Sequence, residues 1–154
     1  MSDKLQLNLS PEEISALSSI YIDEGIKKEA WKIEEIKVDG NLLTARARMT
    51  DYFISPTDPE GFHLSIFCTQ EILSQLANIY LHLAAGLKTK SRESWMRECS
   101  FNYRNVIRDG ENISIEMDFF KQKWVGGTLL AWADCQMKDG QDGLFIARLK
   151  GLLR

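Results

Sequence analysis

Between Phe67 and Gly86 the chain runs for twenty residues with a single formal charge, Glu71. A helix lying on a protein surface carries Lys and Glu along its outer face, so a stretch this poor in charge predicts a helix enclosed by the rest of the chain. At about 100° per residue, Ile72, Leu73, Leu76, Ala77, Ile79, Tyr80, Leu83 and Ala84 fill a wide apolar arc. Glu71, Ser74, Gln75, Asn78 and His82 make a narrow polar stripe. The stripe either faces water along the open side of the helix or lines a cleft or subunit interface. In the second case Glu71, Ser74 and Gln75 could hold a water and aim it at a carbonyl, with Glu71 as general base or nucleophile.

The segments around this helix alternate with the period of strands. Trp31 to Val38 and Asn41 to Asp51 flank the turn Asp39-Gly40. In the second of them Leu43, Ala45, Ala47 and Met49 share a face, opposite Thr44, Arg46 and Arg48. From Ser94 to Ile107 the alternation places Trp95, Cys99, Phe101 and Tyr103 on one side and Glu98, Ser100, Asn102 and Arg104 on the other. A strand through Ile113 and Phe119, a bend or bulge at Gly126-Gly127, a strand from Leu129 to Met137 and a last strand from Leu144 to Leu152 complete the pattern. Ser10-Pro11-Glu12-Glu13 carries the cap and first-turn residues of an N-terminal helix running to about Ile22. The order predicts an α+β single domain spanning 1–154, an antiparallel meander with one central helix.

Between the second strand and the helix, Pro56, Pro59 and Gly61 make Tyr52 to Gly61 a long loop. Such a loop beside a buried helix is a place for binding residues, here Tyr52, Ser55, Thr57 and His63, the last suited to proton transfer near neutrality. Chemistry of other kinds finds no residues to carry it. The chain lacks a GxSxG elbow, a phosphate-cradling glycine loop, HExxH and Cys/His metal spacing, so neither cofactor nor metal is expected. A net charge of −3 argues against a nucleic-acid footprint. No apolar run spans a membrane, no secretory signal opens the chain, and Cys68, Cys99 and Cys135 read as buried thiols of a reducing cytoplasm.

The element order resembles the hotdog fold, a curved antiparallel sheet wrapped around a long helix, usually paired as a dimer. Locally, Tyr52-Phe53-Ile54-Ser55 through Gly61-Phe62-His63, followed by Ser74-Gln75-Leu76-Ala77, is similar to the FcoT-like acyl-CoA thioesterases. Those have a tyrosine-led loop, a GHFN segment and an Asn-Gln-Leu-Ala helix; here Ser74 stands in place of Asn. Glu71 with Gln75 also resembles the ExxxQ helix of FabZ-type dehydratases, whose GHFPG segment this chain lacks.

The resemblance implies acyl-thioester chemistry, with hydrolysis as the first reading. Dehydration or conjugate addition on a β-carbon, and a non-catalytic acyl-binding or structural dimer, are the alternatives. It implies Glu71, Gln75, Ser74, Tyr52 and His63 as catalytic candidates, with Ser55 and Asn78 beside them. An acyl chain would lie near small residues such as Ala77, Ala84, Ala131 and Ala133. Lys90, Arg92 and Arg104 would meet the phosphates of coenzyme A or of an acyl carrier protein, and the unit would be a homodimer or a dimer of dimers.

Overall fold

The computed structural model describes residues 22–23, 26–27 and 29–154. The expected N-terminal helix lies outside them. A short two-stranded ribbon, β1 (Ile22–Asp23) with β2 (Ile26–Lys27), precedes β3 (Ala30–Asp39), β4 (Leu42–Asp51), helix α1 (Ile66–Ala84), β5 (Ser94–Asn105), β6 (Ile113–Val125), β7 (Thr128–Lys138) and β8 (Leu144–Leu153). β3 to β8 form one antiparallel sheet in the order β3-β4-β6-β7-β8-β5. Because β5 follows the helix yet pairs with β8, it closes one edge of the sheet, and α1 lies across the inner face.

Alternation is what makes these segments strands with one dry side. Leu43, Ala45, Ala47 and Met49 of β4 are buried, as are Ile113, Ile115, Met117 and Phe119 of β6 and Leu129, Ala131, Ala133, Cys135 and Met137 of β7. Against them α1 sets Ile72, Leu73, Leu76, Ala77, Tyr80 and Leu81. Each fully buried Leu or Ile contributes about 1.5 to 3 kcal/mol. The Tyr80 ring stacks on Phe119 at 3.7 Å, and its hydroxyl donates to the Gly40 carbonyl and accepts from Gln122. Register shifts in β3, β5 and β6 mark bulges that bend the sheet around the helix.

Three details differ from the sequence expectation. The glycine pair Gly126-Gly127, both in the left-handed region at φ 55° and 81°, is the two-residue turn between β6 and β7, and the bulge falls at Asp118 to Lys121 instead. In β5 a bulge between Met96 and Glu98 reverses the alternation. Met96 therefore joins Cys99, Phe101 and Tyr103 against the core, while Trp95 pairs opposite Leu152 and is 50% exposed. At the end of α1, His82 is only 5% exposed and Leu83 is 49% exposed, the reverse of the helical-wheel reading. His82 Nδ1 donates to the Asn78 carbonyl, so the last turn offers a buried ring a partner within the helix.

Ala84 is exposed as well, which removes it from any channel between helix and sheet. Ala77, Ala131 and Ala133 are buried there. Ala77→Leu is accordingly expected to destabilise the fold by about 1 to 3 kcal/mol through overpacking, and Ala84→Leu by no more than about 0.5 kcal/mol. Urea unfolding of the two variants checks this.

Candidate active site

Ser65 starts α1: its hydroxyl accepts from the Cys68 N–H, and Thr69 donates its hydroxyl back to the Ser65 carbonyl. Capping satisfies one of the free N–H groups of the first turn. From this end the polar stripe runs up the helix, with Glu71 and Gln75 exposed and Ser74 and Asn78 half-buried. Ser74 donates to the Gln70 carbonyl at 2.7 Å. The Asn78 side-chain oxygen accepts from Ser94 of β5 at 2.6 Å, tying the stripe to the edge strand. Between them a small cleft of about 40 Å³ is lined by Ser74, Ala77, Asn78, Leu81, Met96 and Gly151. Its volume exceeds that of a single probe-sized water site.

The loop candidates sit at the other end, beside the start of the helix. Tyr52 packs its ring on Phe62 at 4.6 Å, and the Ser55 and Thr57 hydroxyls are 3.0 Å apart. His63 Nδ1 lies 2.7 Å from an Asp58 carboxylate oxygen, which fixes Nδ1 as the protonated nitrogen of the neutral ring. The same oxygen accepts from Arg108, 2.8 Å away, and Arg108 also reaches Glu60 and the Phe62 carbonyl. The hydrogen bond from Arg108, then that from the Glu60 N–H, hold the Asp58 carboxyl at about 2, against the opposing effect of burial and with a lesser contribution from His63.

Arg108 is placed by Asp139, whose carboxylate accepts from the N–H groups of Arg108, Asp109, Gln141 and Gly143. Burial raises the Asp139 pKa, and these four bonds outweigh it, so the group titrates below the usual range. Neither Asp58 nor Arg108 was expected from sequence. Fifty residues separate them, and only the sequence Asp109-Gly110, read as a turn, hinted that the β5–β6 connection returns to the loop.

A depressed carboxylate pKa stabilises above the unfolded value and is lost as pH falls through the folded one. For Asp58 that window runs from about 3.8 down to about 2. Between these pH values the urea midpoint of the wild type is expected to fall further than that of Asp58→Asn, and parallel curves would remove the assignment.

A second group that sequence reading missed lies beneath the helix start. Glu29 is 7% exposed and one of its oxygens accepts from the Cys68 thiol and from the Ser65 hydroxyl, while the other has no partner among the described residues. Trp31 donates its indole N–H to the Cys68 carbonyl, and Tyr103 donates to that of Leu64. Cys99 and Cys135 are free thiols whose pKa burial raises, that of Cys99 to about 11.

The cationic candidates do not form one patch. Lys90 pairs with Glu93 at 3.3 Å and Arg92 reaches the Gly127 carbonyl at 3.4 Å, both near the start of β5. Arg104 lies ten residues further along that strand, about 33 Å away at the usual rise per residue.

No sequence family matches this chain, and no curated protein does. Solved structures match. Thioesterase PA1618 from Pseudomonas aeruginosa, in a mutant form, aligns at TM-score 0.53 and 17% identity over 80% of each chain. A hypothetical thioesterase from Streptococcus pneumoniae, solved with coenzyme A, aligns at 0.56 and 10% identity over 80% of this chain and 88% of that one. The protein smu.793 from Streptococcus mutans, bound to acetyl-CoA, aligns at 0.55 and 9% identity over 81% and 89%. The fold is the hotdog fold. At these identities the likeness concerns architecture, and the resemblance to FabZ-type dehydratases gains no support from it.

Proposed function

We propose that the protein hydrolyses acyl thioesters, with acyl-CoA as the substrate class. The observation that carries this reading is the placement of Glu71 one turn beyond the start of α1. Phe67 and Glu71 are i and i+4 and so share a face, about 6 Å apart along the axis. The first N–H groups of a helix have no intrahelical partner and carry partial positive charge. A thioester carbonyl drawn to the Ile66 and Phe67 N–H groups would place its carbon within reach of a water held by Glu71. Glu71 takes the proton as the water attacks, the tetrahedral oxyanion is stabilised at the helix start, and the thiolate leaves. Gln75 and Ser74 orient the water, and Tyr52 or His63 completes the pocket from the loop.

Support comes also from the fold, because a hotdog neighbour binds coenzyme A. Lys90 and Arg92 are the cations we assign to the coenzyme phosphates, and an acyl carrier protein is the other donor compatible with them. The active unit in this reading is a homodimer. β5 closes the sheet with one edge unpaired among the described residues, and two such edges joined about a twofold axis would extend the sheet and cover the helix stripe.

The test is a panel of acyl-CoA substrates of increasing chain length, with thiol release followed in solution and the product identified by mass spectrometry. Free acid and coenzyme A support the reading. A protein that stays dimeric by light scattering and turns over no member of the panel overturns it.

A further inference from the structure

The outer face of the sheet, away from α1, ends in a surface the proposed reaction does not use. Across four strands the register places Lys123 opposite Leu130, Leu130 opposite Leu152, and Leu152 opposite Trp95. The next outward row is Lys121, Trp132, Lys150 and Glu98. A sheet face open to water is ordinarily polar, yet here an apolar row lies at its end and bounds a groove of about 560 Å³ lined by Trp95, Val125, Leu130, Leu152, Arg97 and Arg154. Beside it projects the β6–β7 hairpin, whose tip Trp124-Val125-Gly126-Gly127-Thr128 bears no charge. Trp124 is 51% and Val125 49% exposed.

The unpaired charges around this apolar surface are of one sign. Arg97, Lys121, Lys123 and Arg154 have no ion-pair partner among the described residues. Lys121 and Lys150 lie over the Trp132 ring, at 4.7 and 5.3 Å. The nearby acids are engaged, Glu98 by Lys150 and Asp134 by Arg148. A chain of net charge −3 thus concentrates uncompensated cations beside exposed indoles and an uncharged tip.

We infer that this end of the molecule binds an anionic lipid surface, with Trp124 and Val125 seated among the headgroups and Lys121, Lys123 and Arg97 against the lipid phosphates. Indole rings favour the membrane interface, and lysines beside them gain from the negative surface potential. Two left-handed glycines make the tip narrow and themselves add no side chain to desolvate. That no apolar run of the sequence spans a membrane has no bearing on a surface of this kind. The tip adjoins the cations assigned to the coenzyme phosphates, since Arg92 reaches the Gly127 carbonyl, but the inference does not rest on the proposed hydrolysis.

Co-sedimentation with phosphatidylcholine vesicles, pure or containing about one-third phosphatidylglycerol, tests it. Wild type is expected to bind the anionic vesicles and to be released by about 1 M salt, where charges are screened beyond about 3 Å. Lys121→Ala with Lys123→Ala should weaken partition about thirtyfold. Trp124→Ser with Val125→Ser should also reduce it, and Lys138→Ala at the far end of β7 should not. Circular dichroism confirms that each variant is folded. Failure of wild type to bind at low salt overturns the inference, as does binding that the tip variants leave intact. A change confined to oligomer mass would make the face a contact between copies, and capture by polyglutamate without vesicle binding would make the partner an acidic protein; either outcome overturns it too.

Discussion

Glu71→Gln is expected to lower kcat/KM for acyl-CoA hydrolysis by about two to four powers of ten, the usual cost of removing a general base, with only a small change in the unfolding midpoint. The substitution keeps the shape and hydrogen-bonding reach of the side chain and removes only its ability to take a proton. Glu71 is exposed and lies outside the packed core, and interactions of exposed charges contribute no more than about 1 kcal/mol, so the change in stability should stay within that. Equal falls in kcat and kcat/KM would mark an interaction made only in the transition state. Ser74→Ala is expected to do less, because that hydroxyl already donates to the Gln70 carbonyl. Normal turnover by Glu71→Gln on a substrate the wild type hydrolyses would move the base elsewhere. His63 would then be the next to test, since Asp58 holds its ring in one tautomer.

Much of this arrangement was legible before any coordinates. The helix was marked by missing charge, and its observed limits, Ile66 and Ala84, fall within two residues of those expected. The strands were marked by period-two alternation, which survives in the burial of every second residue of β7, of β6 as far as Phe119, and of most of β4 and β8. The errors have local causes. One extra residue in a bulge turned Trp95 outward, and bulges leave little trace in composition. His82 and Leu83 exchanged places because a helical wheel ranks residues by hydropathy, whereas His82 finds its partner in the Asn78 carbonyl and can be buried. Of the candidate site, the helix stripe could be read because its members are close in sequence. Asp58 with Arg108, Glu29 with Cys68 and Asn78 with Ser94 could not, because each contact is made by the tertiary fold between segments with no shared motif.

Gly143→Ala is expected to have the largest steric effect on stability of the glycine-to-alanine changes among the described residues. A Cβ at this position would lie 2.6 Å from an Asp139 carboxylate oxygen and 2.8 Å from the Ile107 Cα. The backbone atom cannot withdraw alone. Asp139 cannot turn aside without giving up four N–H groups, two of them belonging to Arg108 and Asp109. Overpacking of this kind costs about 1 to 3 kcal/mol, and loss of a hydrogen bond to a charged acceptor about 1.5 to 3 more. For a chain of this length each kcal/mol lowers Tm by about 2 to 4 °C, so a fall of about 10 °C is expected by calorimetry. Gly151→Ala serves as the control, because its Cβ would meet Leu81 at an ordinary 3.5 Å. The consequence reaches the candidate site along a definite route. Asp139 sets the Arg108 backbone, Arg108 holds Asp58, and Asp58 orients His63, so at temperatures where Gly143→Ala is still folded the loop should already have lost its anchor. Proteolytic nicking between Tyr52 and His63 that rises in Gly143→Ala and in Arg108→Ala alike would show the relay. A Gly143→Ala protein with the Tm and loop protection of the wild type would mean that the turn yields freely and that Asp139 does not position the site.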